Sequence, residues 1–280
     1  MGRFWSLLFL LVPILGTAVM VAPIVSQTGM LAGHWLPEDV SAYNGRIVDG
    51  LFYLILGLTG VIFVATGLAL FAFMWKYDAA KNTESVKYTH GNHALEVVWS
   101  ILPAGTLLFI AIFQMDAWAN SKMRRPMLPG PDGQLGTADD IPKPPLALVT
   151  GRQFEWRIQY PGKDGILQTA DDIYTVNELH VPVNEEVVLQ IESQDVLHSF
   201  FLPNLRIKQD VVPGMTQTIW FKPIKTGTYD IVCAELCGWG HYKMRGRLVV
   251  DTPAQYQQWL VDTFLEQETT TIRREEEEEE

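Results

Sequence analysis

The stretch CAELCGWGHYKM, residues 233–244, carries two thiols, an imidazole and a thioether, and its two cysteines are the only ones in the 280-residue chain. Thiolate and thioether sulfurs are soft ligands and imidazole is intermediate, a combination that favours copper. A second imidazole is available from His198 in the stretch DVLHSF. Because two thiolates can bridge two metal ions and leave one histidine for each, the spacing predicts a binuclear copper site suited to electron transfer.

Two other interpretations of the cysteines are open. Outside the cytoplasm a pair of cysteines is commonly a disulfide, but a disulfide gives no reason for the ordered His241 and Met244 that follow. A structural zinc site would need a second Cys pair or a Cys/His pair, and the sequence offers neither. Copper remains the favoured interpretation.

Two uncharged apolar runs precede residue 119, and each is long enough to cross a hydrocarbon core of about 30 Å as a helix. They are Leu51–Trp75 and Val97–Met115. The loop between them carries Lys76, Lys81 and Lys87, which predicts that this loop is cytoplasmic. Residues 45–118 are therefore predicted to form a transmembrane helical hairpin, with the segment just before it and the domain after residue 119 outside the cytoplasm.

A further apolar run, residues 4–25, follows Arg3. It is longer than the apolar part of a typical secretory signal and lacks a clear small-x-small cleavage site. Residues 1–26 are predicted to be either a signal peptide or an extra transmembrane helix. Both interpretations leave the predicted topology of the hairpin unchanged.

From residue 119 the pattern changes to short β-type runs separated by turns. The predicted strands are Leu146–Tyr160, Tyr174–His180, Glu186–Glu192, Thr216–Phe221, Gly227–Ala234 and Gly246–Val250. Residues 119–262 are predicted to form one all-β sandwich or barrel, in which the 233–244 stretch joins two late strands. The final residues, 263–280, end in six glutamates and are predicted to be a disordered acidic tail.

Over residues 45–260 the chain resembles subunit II of the haem-copper cytochrome c oxidases. The shared features are the two membrane helices, Glu96-x-x-Trp99-x-x-x-Pro103, an aromatic run at 154–160, Asp195-Val-x-His198-Ser, Lys208-x-Asp210-x-x-Pro213-Gly214 and the 233–244 stretch. The resemblance implies a cupredoxin-like domain with a CuA centre that accepts electrons from cytochrome c. It further implies transfer to haem in subunit I, where oxygen is reduced to water with proton translocation.

The resemblance also implies a ligand set for two copper ions. The bridging thiolates are Cys233 and Cys237, the terminal imidazoles are His198 and His241, and Met244 is a weak ligand. The backbone carbonyl of Glu235 is implied to bind copper, and its side chain to bind a magnesium ion shared with subunit I. A carboxylate is a natural ligand for such a hard cation.

Four further side chains are candidates for roles in proton or electron transfer. Glu96 is implied to be the entrance of a proton channel, with an interfacial carboxylate as the alternative. Phe154 stands where the family often has the first Trp of Trp-x-Trp, which puts electron transfer through that position in doubt. Trp156 and Trp239 are the other aromatic candidates, Trp156 also being a candidate core residue.

An internal repeat departs from the family pattern. PGPDGQLGTADDI at 129–141 recurs as PGKDGILQTADDI at 161–173. Calcium binding by the repeated carboxylates and a pair of solvated hairpin loops are both open interpretations. The six carboxylates are Asp132, Asp139, Asp140, Asp164, Asp171 and Asp172.

The expected setting is the cell (inner) membrane, with the copper domain on the periplasmic side. The expected partners are subunit I and other oxidase subunits, membrane lipid, a cytochrome c or similar donor, and a copper-insertion factor. Nothing in the sequence predicts nucleic-acid binding. A quinol oxidase subunit, a stand-alone copper carrier and a nitrous oxide reductase are the alternatives. A quinol oxidase subunit usually lacks the copper ligands. A stand-alone copper carrier would release copper readily to a chelator, and a nitrous oxide reductase needs a large second domain.

Overall fold

The computed structural model describes residues 2–25, 36–78, 84, 85, 88 and 90–279, and side chains from 3 to 270 within those ranges. The helices are α1 (Gly2–Val25), α2 (Asn44–Lys76), α3 (His93–Phe113), α4 (Met115–Trp118) and α5 (Pro253–Glu279), with a short π-helix at Ala119–Met123. Among the described residues, three segments are long and apolar enough to span a membrane: Arg3–Val25, Asn44–Lys76 and His93–Met123. Lys81 and Lys87 lie outside the described residues.

The first two helices pack closely in antiparallel orientation. A Cβ added at Gly67 would lie 2.9 Å from Pro13, one at Gly60 would lie 2.8 Å from Met20, and one at Gly16 would lie 2.8 Å from Phe63. Small residues let membrane helices approach in this way. In these three pairs, a later residue of α1 contacts an earlier residue of α2, and the two residue numbers always add up to 79 or 80. The two helices therefore keep one antiparallel register along this part of α1.

The β-domain consists of two five-stranded sheets and a small two-stranded one. Its strands are β1 (Met127–Leu128), β2 (Ile141–Pro142), β3 (Ala147–Arg152), β4 (Glu155–Tyr160), β5 (Ile173–Val176), β6 (Glu178–Pro182), β7 (Val187–Ser193), β8 (His198–Leu202), β9 (Ile207–Val211), β10 (Gln217–Phe221), β11 (Gly227–Cys233) and β12 (Arg245–Asp251). The strand orders are β10-β7-β3-β4-β5 and β6-β12-β11-β8-β9. The fold is the predicted cupredoxin-like sandwich.

The core of this domain contains side chains from both five-stranded sheets. Trp156, Ile158 and Ile191 come from the first sheet, and Phe200 and Ile231 from the second; all five are fully buried. In β4 the side chains that alternate with buried Trp156 and Ile158 are half-buried or exposed, the period expected for a strand with one face on a core. Residues 38–48 also pack with this domain.

Two predicted strands are each divided in the structure. The run 146–160 is a hairpin, because Gln153 and Phe154 form a turn between β3 and β4. The run 174–180 breaks at Asn177, whose φ of 59° is left-handed, and its two parts join different sheets. β8 and β9 are strands that the sequence prediction missed. The other four predicted strands are present with bounds shifted by no more than one residue.

The residues predicted to form a disordered tail from 263 onward belong to the helix α5, which runs through to Glu279. Trp259, Leu260 and Phe264 of this helix pack against the core. The ring of Trp259 stacks on that of His180 with centroids 4.0 Å apart. Further along, the side-chain amide of Gln267 donates to the Tyr174 carbonyl at 2.6 Å. These contacts with the sandwich therefore stabilise the helix as far as Gln267, although the acidic composition of the segment predicts disorder.

Candidate metal centre

The pairing of three neighbouring strands brings the predicted ligands to one edge of a sheet. His198 is the first residue of β8, Cys233 is the last of β11, and Met244 immediately precedes β12. Because β11 runs antiparallel to both β8 and β12, the start of β8, the end of β11 and the start of β12 lie together. Residues 234–244 form the connection that closes over this edge.

Donor atoms from the other four predicted ligands surround the sulfurs of Cys233 and Cys237. The two Sγ atoms are 3.9 Å apart. Cys233 Sγ lies 3.9 Å from His198 Nδ1 and 3.2 Å from the Glu235 carbonyl oxygen. Cys237 Sγ lies 3.7 Å from His241 Nδ1 and 3.7 Å from Met244 Sδ. Each sulfur therefore has an imidazole of its own, and both sulfurs are at the centre of the donor set.

The sulfur–sulfur distance discriminates between the alternatives for the cysteines. A disulfide requires about 2.05 Å, so the two thiols are unbonded, and both are free cysteines. Metal–thiolate bonds are about 2.3 Å, so thiolates 3.9 Å apart can bind the same ion. Among the described residues, His198, Cys233 and Cys237 form the only group of three or more His, Cys, Asp or Glu side chains with ligand atoms within 4.8 Å of one another. The donor set fits a soft metal such as copper.

Four of the six predicted ligands are buried, and the other two are partly exposed. His198, Cys233, Cys237 and Met244 are buried, whereas Glu235 and His241 are half-buried. Cys233, Cys237 and Met244 belong to the hydrophobic core of the sandwich. Such surroundings exclude water from the sulfurs and leave one imidazole near the surface.

The second ring nitrogen of His198 fixes the orientation of this imidazole. His198 Nε2 is 2.8 Å from Asp195 Oδ1, where its N–H donates to the carboxylate, and Nδ1 faces the sulfur of Cys233. Carboxylates in this position commonly orient metal-binding histidines. Asp195 is itself held by the backbone N–H of Gln153, which donates to Oδ2 at 2.8 Å.

The ionisable groups of the site influence one another strongly. Burial raises the pKa of Cys233, but its hydrogen bond with His198 and those with the backbone outweigh burial, so the pKa falls below its ordinary value. Burial also raises the pKa of Cys237, and the neighbouring Cys233 raises it further. Burial lowers the pKa of His198, yet its hydrogen bonds to Cys233 and Asp195 reverse the shift and raise it. One thiolate is thus favoured at Cys233, and a metal that binds both sulfurs must displace the proton of Cys237.

The aromatic candidates occupy different environments. Trp156 is fully buried, with its ring centroid 6.0 Å from that of His198 and 5.1 Å from that of Phe200. Trp239 is 80% exposed. The half-buried ring of Phe154 contacts Trp239 edge-on, with centroids 5.3 Å apart. Trp156 is therefore a core residue beside a ligand, and Trp239 is the aromatic candidate that is open to a partner.

Glu96 belongs to the helical part of the chain and not to this site. It lies in the first turn of α3, whose N-cap is Asn92. Its side chain is 51% exposed, and a carboxylate oxygen is 3.8 Å from His93 Nδ1. A carboxylate is favoured at this end of a helix by the helix dipole.

The repeated acidic loops hold their carboxylates by internal hydrogen bonds. Thr137 donates to Asp139 Oδ1 at 2.7 Å, and the backbone N–H of Gly136 donates to Asp140 Oδ2 at 2.7 Å. Thr169 donates equivalently to Asp171 at 2.8 Å. These threonine hydrogen bonds lower the pKa of Asp139 and of Asp171. Both copies of the repeat share these hydrogen bonds, and calcium binding by the six carboxylates stays a prediction.

Three residues of the site were not predicted as functional. Asp195 had a signal, because it stands three residues before His198. Gln153 had none, since its contacts depend on the meeting of two sheets. Gly238 has a φ of +136°, a backbone conformation that favours glycine, and a Cβ there would lie 2.7 Å from Gln153 Nε2.

Two family profiles match the chain. "Cytochrome C oxidase subunit II, periplasmic domain" matches residues 148–252, and "Cytochrome C oxidase subunit II, transmembrane domain" matches residues 37–116. The first range contains all the predicted copper ligands, and the second contains α2, α3 and Glu96.

Individual proteins are also similar to the chain. Cytochrome c oxidase subunit 2 of Thermostichus vulcanus is 30% identical over 277 residues, covering 84% of this chain and 81% of that protein. Alternative cytochrome c oxidase subunit 2 of Bradyrhizobium diazoefficiens is 39% identical over 136 residues, covering 48% and 44%. The crystal structure of the periplasmic domain of subunit II of cytochrome oxidase of Bradyrhizobium japonicum aligns with 29% identity, 44% and 95% coverage, and a TM-score of 0.39.

Proposed function

Because the chain belongs to the cytochrome c oxidase subunit II family, we propose that it holds a dinuclear CuA centre and accepts electrons from a cytochrome c. The chain is a subunit of a haem-copper terminal oxidase, an oxidoreductase complex. It is a membrane protein whose β-domain lies outside the cytoplasm. The membrane proposed for it is the cytoplasmic (inner) membrane, where electron transfer can be coupled to proton translocation.

The observation that carries the proposal is the pair of unbonded sulfurs 3.9 Å apart, each with its own imidazole nitrogen within 3.9 Å. In this assignment the thiolates of Cys233 and Cys237 and the imidazoles of His198 and His241 would hold two copper ions. Met244 and the Glu235 carbonyl complete the set. Copper bound there supplies reversible one-electron transfer.

The residues of the chain supply the surroundings of that reaction. The sandwich core buries both sulfurs and excludes water, and the paired strands β8, β11 and β12 hold the donors from behind. Asp195 fixes His198 through Nε2. Preorganised ligands of this kind move little when charge changes, which suits rapid electron exchange.

The proposed partners are assigned from the exposure of individual side chains at the site. We assign the face with Trp239 to the electron donor, because an exposed tryptophan offers a large contact area close to Cys237. We assign His241, the half-buried ligand, to the route toward haem in subunit I. The Glu235 side chain is assigned to a magnesium ion shared with that subunit. A copper-insertion factor is expected, since paired thiols outside the cytoplasm oxidise unless they are kept reduced.

Copper loading of the full-length chain in detergent tests this function. We expect two copper ions per chain and a paramagnetic resonance spectrum of one unpaired electron shared by two copper nuclei. Elemental analysis and the hyperfine pattern are the measurements. A single copper per chain, or a Cys233–Cys237 disulfide that resists reduction and metal, would contradict the proposal.

Glu96 is proposed to be the entrance of the proton-uptake channel. Replacing Glu96 with Gln keeps its size and removes its ionisable group, so we expect slower turnover of the assembled oxidase with unchanged copper spectra. Turnover measured across pH is the test, and turnover like that of the wild type at every pH would remove this role. His93→Gln is the matched control, because it alters the neighbouring side chain and keeps the carboxylate.

A further inference from the structure

The turn between β3 and β4, residues Gln153 and Phe154, contacts the metal site from the sheet that does not carry His198 and Cys233. β3 and β4 belong to the sheet β10-β7-β3-β4-β5, whereas His198 and Cys233 belong to the other sheet. The turn therefore meets the site across the sandwich and is independent of the strand pairing that aligns the ligands.

Gln153 contacts both halves of the site. Its side-chain amide Nε2 donates to the carbonyl oxygen of Cys237. Its backbone N–H donates to Asp195 Oδ2 at 2.8 Å, and the other oxygen of Asp195 is 2.8 Å from His198 Nε2. One residue thus links a bridging thiol on the loop to an imidazole on β8.

Phe154 adds a close packing contact to the same loop. A Cβ on Gly240 would lie 2.5 Å from the ring of Phe154, and one on Gly238 would lie 3.1 Å from it. Both glycines therefore leave room for the turn. Between them the loop closes on itself, because the backbone N–H of His241 donates to the Gly238 carbonyl at 3.1 Å.

Apart from its contacts with this turn, the 234–244 loop is held mainly at its two ends. Cys233 lies in a paired strand, and its N–H donates to the Met244 carbonyl at 3.2 Å. Cys237 is the fourth of the eleven residues of the 234–244 connection, between these two anchored ends. A hydrogen bond to the Cys237 carbonyl is therefore well placed to fix the position of its sulfur relative to that of Cys233.

We infer that Gln153 is a positioning residue of the metal centre, whose side-chain amide fixes Cys237 while its backbone amide supports the Asp195–His198 pair. This inference rests on the proposed function and extends it to a residue that binds no metal. The backbone contribution persists in any variant, so a substitution of Gln153 isolates the hydrogen bond to Cys237.

Two substitutions separate hydrogen bonding from packing. Gln153→Met keeps the length and volume of the side chain without the donor, and Gln153→Ala removes both. Outer partners of metal ligands typically contribute about 10- to 100-fold to metal affinity, so we expect both variants to release copper to a chelator about 10- to 100-fold more readily. We also expect an altered copper hyperfine pattern and a shifted reduction potential. Arg152→Ala, at the exposed neighbouring position, is the matched control and should match the wild type.

The full-length chain in detergent is the sample, and the melting temperature of its metal-free form checks that each variant is folded. If Gln153→Met matches the wild type and Gln153→Ala does not, the role is packing and the inference is overturned. Copper retention and spectra like those of the wild type in both variants also overturn it. Failure of the proposed function is distinguished by the wild-type chain, which would then lack the two-copper spectrum before any substitution.

Discussion

Replacing Cys237 with serine is expected to abolish the two-copper signal of the chain and to lower turnover of the assembled oxidase by more than about 100-fold, the upper end of the effect for outer partners of metal ligands. Cys237 Sγ contacts the other sulfur, His241 Nδ1 and Met244 Sδ. Serine is similar in size but offers a hydroxyl, a hard and weakly acidic donor that suits copper poorly. Copper per chain and the paramagnetic resonance spectrum are the measurements.

The matched control for Cys237→Ser lies within the same loop. Glu235→Gln changes a side chain but leaves the backbone carbonyl that lies 3.2 Å from Cys233 Sγ, so copper should be retained in full. In the assembled oxidase this control should lower the magnesium content instead. Two copper ions per chain in Cys237→Ser would show that this sulfur does not bridge the centre.

Replacing Trp239 with alanine is expected to slow electron transfer from reduced cytochrome c by about 30-fold, with copper content and spectrum unchanged. Truncating a central interface tryptophan typically costs about 2 kcal/mol or more, and each 1.36 kcal/mol corresponds to a factor of ten. Trp239 is 80% exposed and lies two residues from Cys237. The measurement is stopped-flow reduction of the assembled oxidase at low donor concentration.

Two further variants define what Trp239 contributes. Phe154→Leu removes the edge-on ring contact to Trp239, for which aromatic pairs contribute about 0.5–1.5 kcal/mol. We expect a smaller decrease there, of roughly two- to thirteenfold. Tyr242→Ala removes another exposed aromatic ring from the loop and serves as the control for lost apolar area. Reduction at the wild-type rate in Trp239→Ala would exclude this residue from the route.

The site was more predictable from the sequence than the sandwich around it. Five of the six predicted ligands occur within residues 233–244. The types and spacing of these side chains predict a copper site even when the fold is unknown. His198 was identified from the motif around it. What the motif could not provide is the meeting of His198 with Cys233, because this depends on β8, a five-residue strand that the sequence prediction missed.

The errors in strand prediction have local causes. The turn at Gln153 and Phe154 lacks the Gly, Asn or Asp that commonly marks a two-residue hairpin loop, so the apolar and polar pattern continues through it. Asn177 is tolerant of a left-handed conformation, but nothing local indicates that the chain changes sheets there. Both features are decided by tertiary packing.

The C-terminal helix was missed for a different reason. Tyr256, Trp259, Leu260 and Phe264 follow the i, i+3, i+4, i+8 spacing of an apolar helix face. The six terminal glutamates dominated the composition and favoured disorder. A windowed search for periodicity would have found the helix where the net charge did not.

The strand register beside the metal site has a consequence for folding fidelity. Cys233 pairs with Phe200 on β8, which itself begins at His198. A slip of one residue between β8 and β11 would turn His198 from the interior to the outer face, and no adjustment of the 234–244 connection could restore it. A misregistered sandwich could still bury an apolar core, but His198 would be missing from the proposed copper site. If the chain holds copper as proposed, retained copper would therefore report that β8 and β11 have paired in the correct register.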